Sequence, residues 1–116
     1  MLEPFKLIKE EFNDFNNEKL WTYSLEITFN SQLINKLTIT SYYQTRLGRE
    51  TITNELIWNI FQNKLHNQLL KPLVYRGKRK VFKWEEIYQD HKYRLIFWFK
   101  DQADNHLWVR NCYRVD

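Results

Sequence analysis

Glycine and proline are scarce in this chain, at two residues each among 116, and cysteine occurs once, as Cys112. So little glycine and proline argues against a long disordered tail or a low-complexity segment, and one cysteine excludes an internal disulfide. The longest apolar run, Leu95 to Phe99, has five residues, far fewer than a membrane-spanning helix needs. The first 25 residues also lack the pattern of a signal peptide. We therefore expect an ordered cytoplasmic protein with no membrane partner.

Metal and cofactor sites are also not expected. The three histidines and the cysteine are scattered, without the short spacing of zinc ligands. Two glycines cannot build a Gly-rich phosphate loop. Glu85 and Glu86 are adjacent, so on a strand they would point to opposite faces and could not act as a cooperating carboxylate pair.

Aromatic and basic residues are what the chain does have. The 43% hydrophobic and 17% aromatic content is enough for the core of one domain. The net charge of +4 is concentrated late in the chain, since residues 71–116 hold 11 basic and 6 acidic side chains while residues 1–70 hold 7 and 8. The run RGKRK, from Arg76 to Lys80, suggests an anionic partner, although a solvated surface loop would have the same composition.

Apolar periodicity predicts a helix and two strands at the start of the chain. The side chains of Phe5, Ile8, Phe12 and Phe15 recur at spacings of three and four, which is typical of an amphipathic helix. Alternation from Trp21 to Phe29 predicts a half-buried strand, and a second strand is expected near residues 33–39.

Residues 41–65 are interpreted as two helices. Gly48 would cap the end of the first, and Thr53 would be the N-cap of the second, with Glu55 in its first turn. After Pro72 the period changes to two, which predicts three antiparallel strands at residues 80–88, 93–100 and 107–114. The expected fold class is α+β, with helices packed on a curved antiparallel β-sheet.

Strand alternation also predicts a basic, aromatic face on this sheet. With Leu95 and Phe97 directed to the core, Arg94 and Trp98 face outward. The same alternation directs a set on the last strand outward: His106, Trp108, Arg110, Cys112 and Arg114. Cations beside flat aromatic rings suit single-stranded RNA, whose phosphates and unpaired bases they can contact. The alternative is that the N-terminal helix covers this face and the tryptophans are ordinary core.

The segments VFKWEE, KYRLIFWF and LWVRNCYRVD, after KLTIT and two predicted helices, resemble the RelE and ParE toxins and small toxin domains of the barnase and RelE type. The sharpest element is YRLIF, from Tyr93 to Phe97. The resemblance covers about residues 35–116 and implies a RelE-like topology. Residues 1–34 would be a helix and strand extension packed on the same compact domain, as a dimerisation arm, an extra sheet edge or a lid.

The resemblance implies a metal-independent endoribonuclease, an mRNA interferase of a toxin–antitoxin system, which needs no cofactor. In that chemistry the RNA 2′-hydroxyl attacks the neighbouring phosphate, and cations stabilise the added negative charge. Arg94 matches the family arginine and would bind the scissile phosphate. Arg114 matches a basic position near the end of the last strand and would contact the same or the adjacent phosphate. Lys80 and Lys83 match lysines of the preceding strand, where one could act as the base. The implied partners are RNA, free or on the ribosome, and a cognate antitoxin.

The chain departs from the family pattern because it carries no C-terminal helix with a catalytic tyrosine. Tyr113 is our candidate acid, with Tyr88, His91 and His106 as alternatives. The expected RNA-binding residues are Arg76, Lys78, Arg79, Trp98, His106, Trp108 and Arg110. If the acid is missing, the alternative function is a non-catalytic module that binds nucleic acid or a protein target, as an inhibitor, immunity or regulatory protein.

Overall fold

A computed structural model of the protein describes residues 5–45, 51–72, 74–76, 79–101 and 103–116. Within these ranges the chain forms seven strands and one α-helix. The strands are β1 (Leu7–Asn13), β2 (Glu18–Phe29), β3 (Gln32–Thr40), β4 (Val74–Arg76), β5 (Arg79–Tyr88), β6 (His91–Phe99) and β7 (His106–Arg114). The helix, α1 (Asn54–Ile60), continues as a wider π-helical turn over Phe61–Leu65.

The strands lie in the order β1-β2-β3-β7-β6-β5-β4. Neighbours are antiparallel except for β3 and β7, which run parallel with Leu37 opposite Leu107. This parallel contact joins the first three strands, which are consecutive in the chain, to the last four. The result is a mixed sheet in which the first and last parts of the chain share one hydrogen-bonded ladder.

One face of the sheet, here called the inner face, carries the core and is covered by α1. The Phe61 ring lies 5.1 Å from that of Phe97, measured between centroids, and Nε1 of Trp58 donates to the carbonyl of Ser24 at 2.9 Å. The fully buried inner-face side chains include Ile27, Phe29, Ile34, Leu37, Ile39, Leu95, Phe97, Leu107 and Val109. Burial of this large apolar area is the main source of folding free energy.

The expected fold class is wrong, because the described residues are mostly β with one helix among them, and the sheet is not purely antiparallel. The predicted N-terminal helix is strand β1, paired with β2. Its apolar spacing misled the interpretation: Ile8, Phe12 and Phe15 are 51%, 54% and 100% exposed and form no core face. Backbone pairing with β2 outweighed the helical pattern, which had no apolar surface to pack on.

Only one of the two helices predicted for residues 41–65 is present in the part of the segment that the structure describes. Ser41–Thr45 forms a 3-10 turn, and Gly48 lies outside the described residues. The second helix is confirmed together with its cap: Oγ1 of Thr53 accepts a hydrogen bond from the backbone N–H of Leu56 at 3.0 Å.

The strands predicted from alternation are confirmed as β2, β3, β5, β6 and β7, and the last three are antiparallel as expected. The hairpin between β5 and β6 turns at Gln89 and Asp90, both with positive φ. The expected boundary between the extension, residues 1–34, and the toxin-like domain, residues 35–116, falls inside β3, so one strand belongs to both. In the part of the chain that the structure describes, we find no helix long and apolar enough to cross a membrane.

Candidate functional site

The face of the sheet opposite α1, here called the outer face, carries the predicted basic and aromatic side chains of β6 and β7. Trp98 and Trp108 are direct cross-strand neighbours, and both are half-buried. Arg94 lies at the other end of β6, four residues away. At a rise of roughly 3.3 Å per residue, the strip from Arg94 to Trp98 is about 13 Å long.

A β-bulge in β7 changes which side chains reach this face. Ile96 lies opposite Asn111, while the next residue of β6, Phe97, lies opposite Val109, so β7 has one extra residue. Beyond the bulge the alternation inverts, because a one-residue shift moves side chains to the other face. The predicted outward orientation of Cys112 and Arg114 is therefore wrong.

Cys112 is instead fully buried in the core. Arg114 lies opposite Tyr93, a core residue of the inner face, and its Nε donates to Oδ1 of Asp116 at 3.2 Å. The bulge brings Tyr113 to the outer face in their place. Of the two arginines for which the resemblance implied a phosphate contact, Arg94 and Arg114, only Arg94 lies on the outer face.

Arg94 is the centre of a three-residue cluster on the outer face. Its Nε donates to Oε1 of Glu85 at 2.5 Å, and its Nη1 donates to the hydroxyl of Tyr113 at 2.9 Å. Both partners are direct cross-strand neighbours, Glu85 on β5 and Tyr113 on β7. The cluster therefore contains a carboxylate, a guanidinium and a phenol within contact distance.

The charges of this cluster reinforce one another. The hydrogen bond from Arg94 lowers the pKa of Glu85, and the charge of Lys92, whose Nζ lies 3.5 Å from Oε2 of Glu85, lowers it further. The pKa of Arg94 is raised by its hydrogen bonds with Tyr113 and Glu85. Glu85 is thus ionised and Arg94 is charged at neutral pH.

The two tryptophans line a cleft of about 500 Å³ at the other end of the strip. Its walls are Asn16, Glu18, Trp98, Lys100, Asp101, Trp108 and Arg110. The cleft lies where the β1–β2 turn approaches β6 and β7, so the two ends of the chain together form it. Flat indole rings, cations and carboxylates on its walls could contact an aromatic ring that carries polar groups.

Arg110 forms part of this wall and is held by two partners. Its Nη1 donates to Oε2 of Glu18 at 2.8 Å, and its guanidinium carbon lies 3.7 Å from the centre of the Tyr42 ring. The Glu18 side chain is 9% exposed, against 34% for Arg110. Arg110 thus ties β7 to β2 and to the 3-10 turn as well as facing the cleft.

His106, expected to be outward and in contact with RNA, is buried at 9% exposure. Its Nε2 lies 2.6 Å from Oγ1 of Thr38, which lies 2.7 Å from Oγ1 of Thr22. Burial lowers the pKa of His106 to about 4, helped by the charges of Lys100 and Lys36. The imidazole is therefore neutral at pH 7 and adds no positive charge to the face.

The predicted lysines are separated by the alternation of β5. Lys83 is exposed and lies opposite Ile96, on the outer face beside Glu85, whereas Lys80 shares its alternation with the buried Phe82 and Trp84. Arg76 and Arg79 lie opposite each other where β4 pairs with β5, and Lys78 lies outside the described residues. Two of the other candidate acids have partners outside the Arg94 cluster. The Tyr88 hydroxyl accepts a hydrogen bond from Asn63, and Nδ1 of His91 lies 3.2 Å from Oδ2 of Asp116.

Sequence reasoning missed Glu85, Glu18 and Tyr42. Glu85 was considered only as half of a carboxylate pair. A two-residue turn at Gln89 and Asp90 would have predicted it opposite Arg94, because such a turn sets the register of the hairpin. Glu18 and Tyr42 had no comparable signal, since their contacts with Arg110 join distant parts of the chain.

No group of three or more histidine, cysteine, aspartate and glutamate side chains that could hold a metal ion is found among the described residues. Comparison of the chain with protein-family models, with curated proteins and with solved structures found no match, so the site geometry alone supports an interpretation of function.

Proposed function

We propose that the protein binds single-stranded RNA along its outer face and cleaves it through attack of a 2′-hydroxyl on the adjacent phosphate. The observation that carries this proposal is the contact cluster of Glu85, Arg94 and Tyr113 at one end of a strip whose other end holds Trp98 and Trp108. Transesterification of RNA needs a base, a cation and an acid, and this cluster contains one group suited to each role.

The chemical step follows from the positions of these groups. The Glu85 carboxylate takes the proton of the 2′-hydroxyl, and the 2′-oxygen forms a bond to phosphorus. The bond from phosphorus to the 5′-oxygen breaks, and this oxygen receives the phenolic proton of Tyr113. Arg94 neutralises the charge that gathers on the phosphoryl oxygens. The products are a 2′,3′-cyclic phosphate and a free 5′-hydroxyl.

Phosphate binding would itself prepare Glu85 for this role. In the free protein the hydrogen bond from Arg94 lowers the pKa of the carboxyl and makes it a weaker base. A phosphate that competes for the guanidinium weakens that hydrogen bond, so the pKa of Glu85 rises as substrate binds. The base is thereby strengthened when the 2′-hydroxyl is in place.

The tryptophan cleft supports the choice of a single-stranded substrate. The strip of about 13 Å from Arg94 to Trp98 is long enough for two or three extended nucleotides at roughly 6 Å each. Bases stacked against Trp98 or Trp108 would place the following phosphates near Arg94. Unpaired bases are required for such stacking, because the bases of a duplex stack on one another.

A second candidate, binding without cleavage, is favoured by one observation. Arg94 and Arg110 already have carboxylate partners, Glu85 and Glu18, which reduces the net positive charge available to phosphates. A face of this kind, with tryptophan and arginine side chains, also suits a protein partner. That partner would be a cognate antitoxin-like inhibitor or a protein target, and we propose the cytoplasm as the location in either case.

The test is incubation of the protein with single-stranded RNA, and with mRNA on ribosomes, in EDTA, followed by mapping of fragment ends. We expect cyclic phosphate ends that disappear in Arg94→Gln and persist in Arg114→Gln, a matched arginine on the inner face. Glu85→Gln should abolish cleavage while RNA binding is retained. Trp98→Ala should weaken binding by about tenfold, the loss expected for one stacked base.

Two results would decide against this chemistry. Cleavage that survives in a folded Arg94→Gln variant would remove the cluster from the mechanism. Salt-sensitive RNA binding with no product would favour the non-catalytic candidate, and absence of binding at low salt would leave a protein partner.

A further inference from the structure

Strand β1 forms one edge of the sheet and carries exposed apolar side chains. Leu7, Ile8 and Phe12 are 46%, 51% and 54% exposed, and Phe15 in the following turn is 100% exposed. β1 pairs with β2 on one side, and none of the strands that the structure describes lies on its other side. Alternate N–H and C=O groups of an edge strand point away from the sheet, so this edge presents backbone donors and acceptors beside an apolar surface.

We propose that β1 pairs antiparallel with β1 of a second copy of this chain, so that two sheets join into one in a symmetric dimer. Such an interface is self-complementary: the same strand meets itself across a twofold axis. Directly opposed residues must share a sheet face. One residue of β1 therefore lies opposite its own copy, and the axis passes midway between these two copies. This proposal does not rest on RNA binding.

The sequence of β1 favours the register centred on Glu10. In that register Lys9 lies opposite Glu11 of the second copy, and Phe12 lies opposite the bulged segment that contains Ile8. Symmetry makes each pair occur twice. Opposite charges and apolar pairs facing each other across strands are the arrangements that stabilise antiparallel pairing. The regular part of β1 begins at Lys9, after the bulge, and contains both members of the charged pair. Within one chain Lys9 Nζ already lies 3.2 Å from Oε1 of Glu11, so in the dimer the two lysines and two glutamates form one alternating group of charges.

The neighbouring registers are less favourable. Centring on Lys9 places two lysines opposite each other and sets Ile8 against Glu10, while centring on Glu11 places two glutamates together and sets Glu10 against Phe12. The favoured register also has a cost, since the two copies of Glu10 face each other. Each Glu10 already accepts a hydrogen bond from Nε1 of Trp21 at 2.8 Å, which partly compensates its charge.

Sedimentation equilibrium of the full chain over a range of concentrations tests the dimer. Lys9→Glu should weaken the dimer by about tenfold, because it turns two attractive cross-strand pairs into repulsive ones. Glu11→Lys should do the same, and the double variant Lys9→Glu/Glu11→Lys should restore dimerisation, since it reverses both pairs. Glu10→Gln should strengthen the dimer, because the amide removes the central repulsion and can still accept from Trp21.

A cysteine pair tests the register independently. Glu10→Cys should form a disulfide-linked dimer on oxidation, since directly opposed residues have Cα atoms about 4.5–5.5 Å apart, within disulfide range. Asn13→Cys is the matched control: its two copies would lie roughly 20 Å apart in this register, as each is displaced by three residues from the axis. The native Cys112 is buried and does not compete.

Controls separate dimerisation from folding. Leu69 is 74% exposed and lies outside β1, so Leu69→Lys should leave the dimer unchanged. Circular dichroism should show that each variant keeps its strand content. A monomer at all concentrations would overturn the proposal, and so would a dimer that resists both Lys9→Glu and Glu11→Lys or that links equally through Asn13→Cys.

Discussion

Arg94 and Arg110 on the outer face have similar contact partners, but the partners differ in ways that indicate different roles. Arg94 contacts Glu85 and Tyr113, and Arg110 contacts Glu18 and Tyr42. Each arginine thus has a carboxylate and a phenol ring as partners.

The partners differ in burial and in sequence separation. Glu85 is 25% exposed in its side chain and lies nine residues from Arg94, across a hairpin, whereas Glu18 is 9% exposed and lies 92 residues from Arg110. Arg110 therefore joins the first and last parts of the fold, while Arg94 belongs to a local, open cluster. Similar contacts thus join distant parts of the fold at Arg110 but only neighbouring strands of a hairpin at Arg94, and the difference in exposure lies in the carboxylate partners, since the arginine side chains are 32% and 34% exposed.

The largest expected effect is on stability, at Arg110. Arg110→Gln removes the cationic partner of the Glu18 carboxylate, which is largely shielded from solvent. This change should lower the unfolding free energy by about 3 kcal/mol. Urea unfolding measures this loss. The double variant Glu18→Gln/Arg110→Gln should recover part of it, because no charge is then left buried. Equal losses in the single and double variants would show that the ion pair does not join the two parts of the fold.

The next largest effect is a pH dependence of the unfolding free energy, caused by His106, which lies on β7 with Arg110. The pKa of His106 is about 4 in the folded protein and 6.5 in the unfolded chain. Between these two pH values only the unfolded chain binds a proton at this residue. The stability contributed by the neutral ring is complete above pH 6.5 and is lost as the pH falls toward 4. We expect a loss of about 2 kcal/mol between roughly pH 7.5 and 4.5, measured by urea unfolding. His106→Gln should remove this component, and an unchanged slope would assign it to other groups.

The smallest expected effect on stability is at Arg94. Its cluster is solvent-accessible, and exposed ion pairs contribute little to folding. Arg94→Gln should therefore lower the melting temperature far less than Arg110→Gln does, whereas the proposed function requires that it abolish RNA cleavage. Melting curves of the two variants side by side provide the measurement. A large loss of stability in Arg94→Gln would make the two arginines equivalent and remove the contrast.

Local periodicity predicted much of the sheet but misassigned the N-terminus. The alternation in β2 and β6 reflects one buried face, so their core residues could be read directly, as Tyr93, Leu95 and Phe97 show. In β1 the apolar residues are exposed, and their spacing matched a helix by coincidence. A periodic pattern predicts structure only where one face is buried.

The candidate site was predicted in part. Arg94, Trp98, Trp108 and Arg110 lie on the expected face, and Tyr113 joins them through the bulge. Arg114 and His106 do not contribute to that face, the first because the bulge inverts its orientation and the second because it is buried. The resemblance to RelE and ParE toxins remains a prediction about activity, without support from the fold.

The sequence by itself determined the strands with one buried face, the Thr53 helix cap and the late concentration of positive charge, since each depends on residues close together in the chain. The tertiary structure decided the parallel pairing of β3 with β7, the burial of His106 and the contacts of Arg110. It also decided the bulge in β7, which places Tyr113 on the outer face and the exposed Arg114 on the inner face. These features depend on which strand lies beside which and in what register, and the free energy of such pairing comes from contacts between distant parts of the chain.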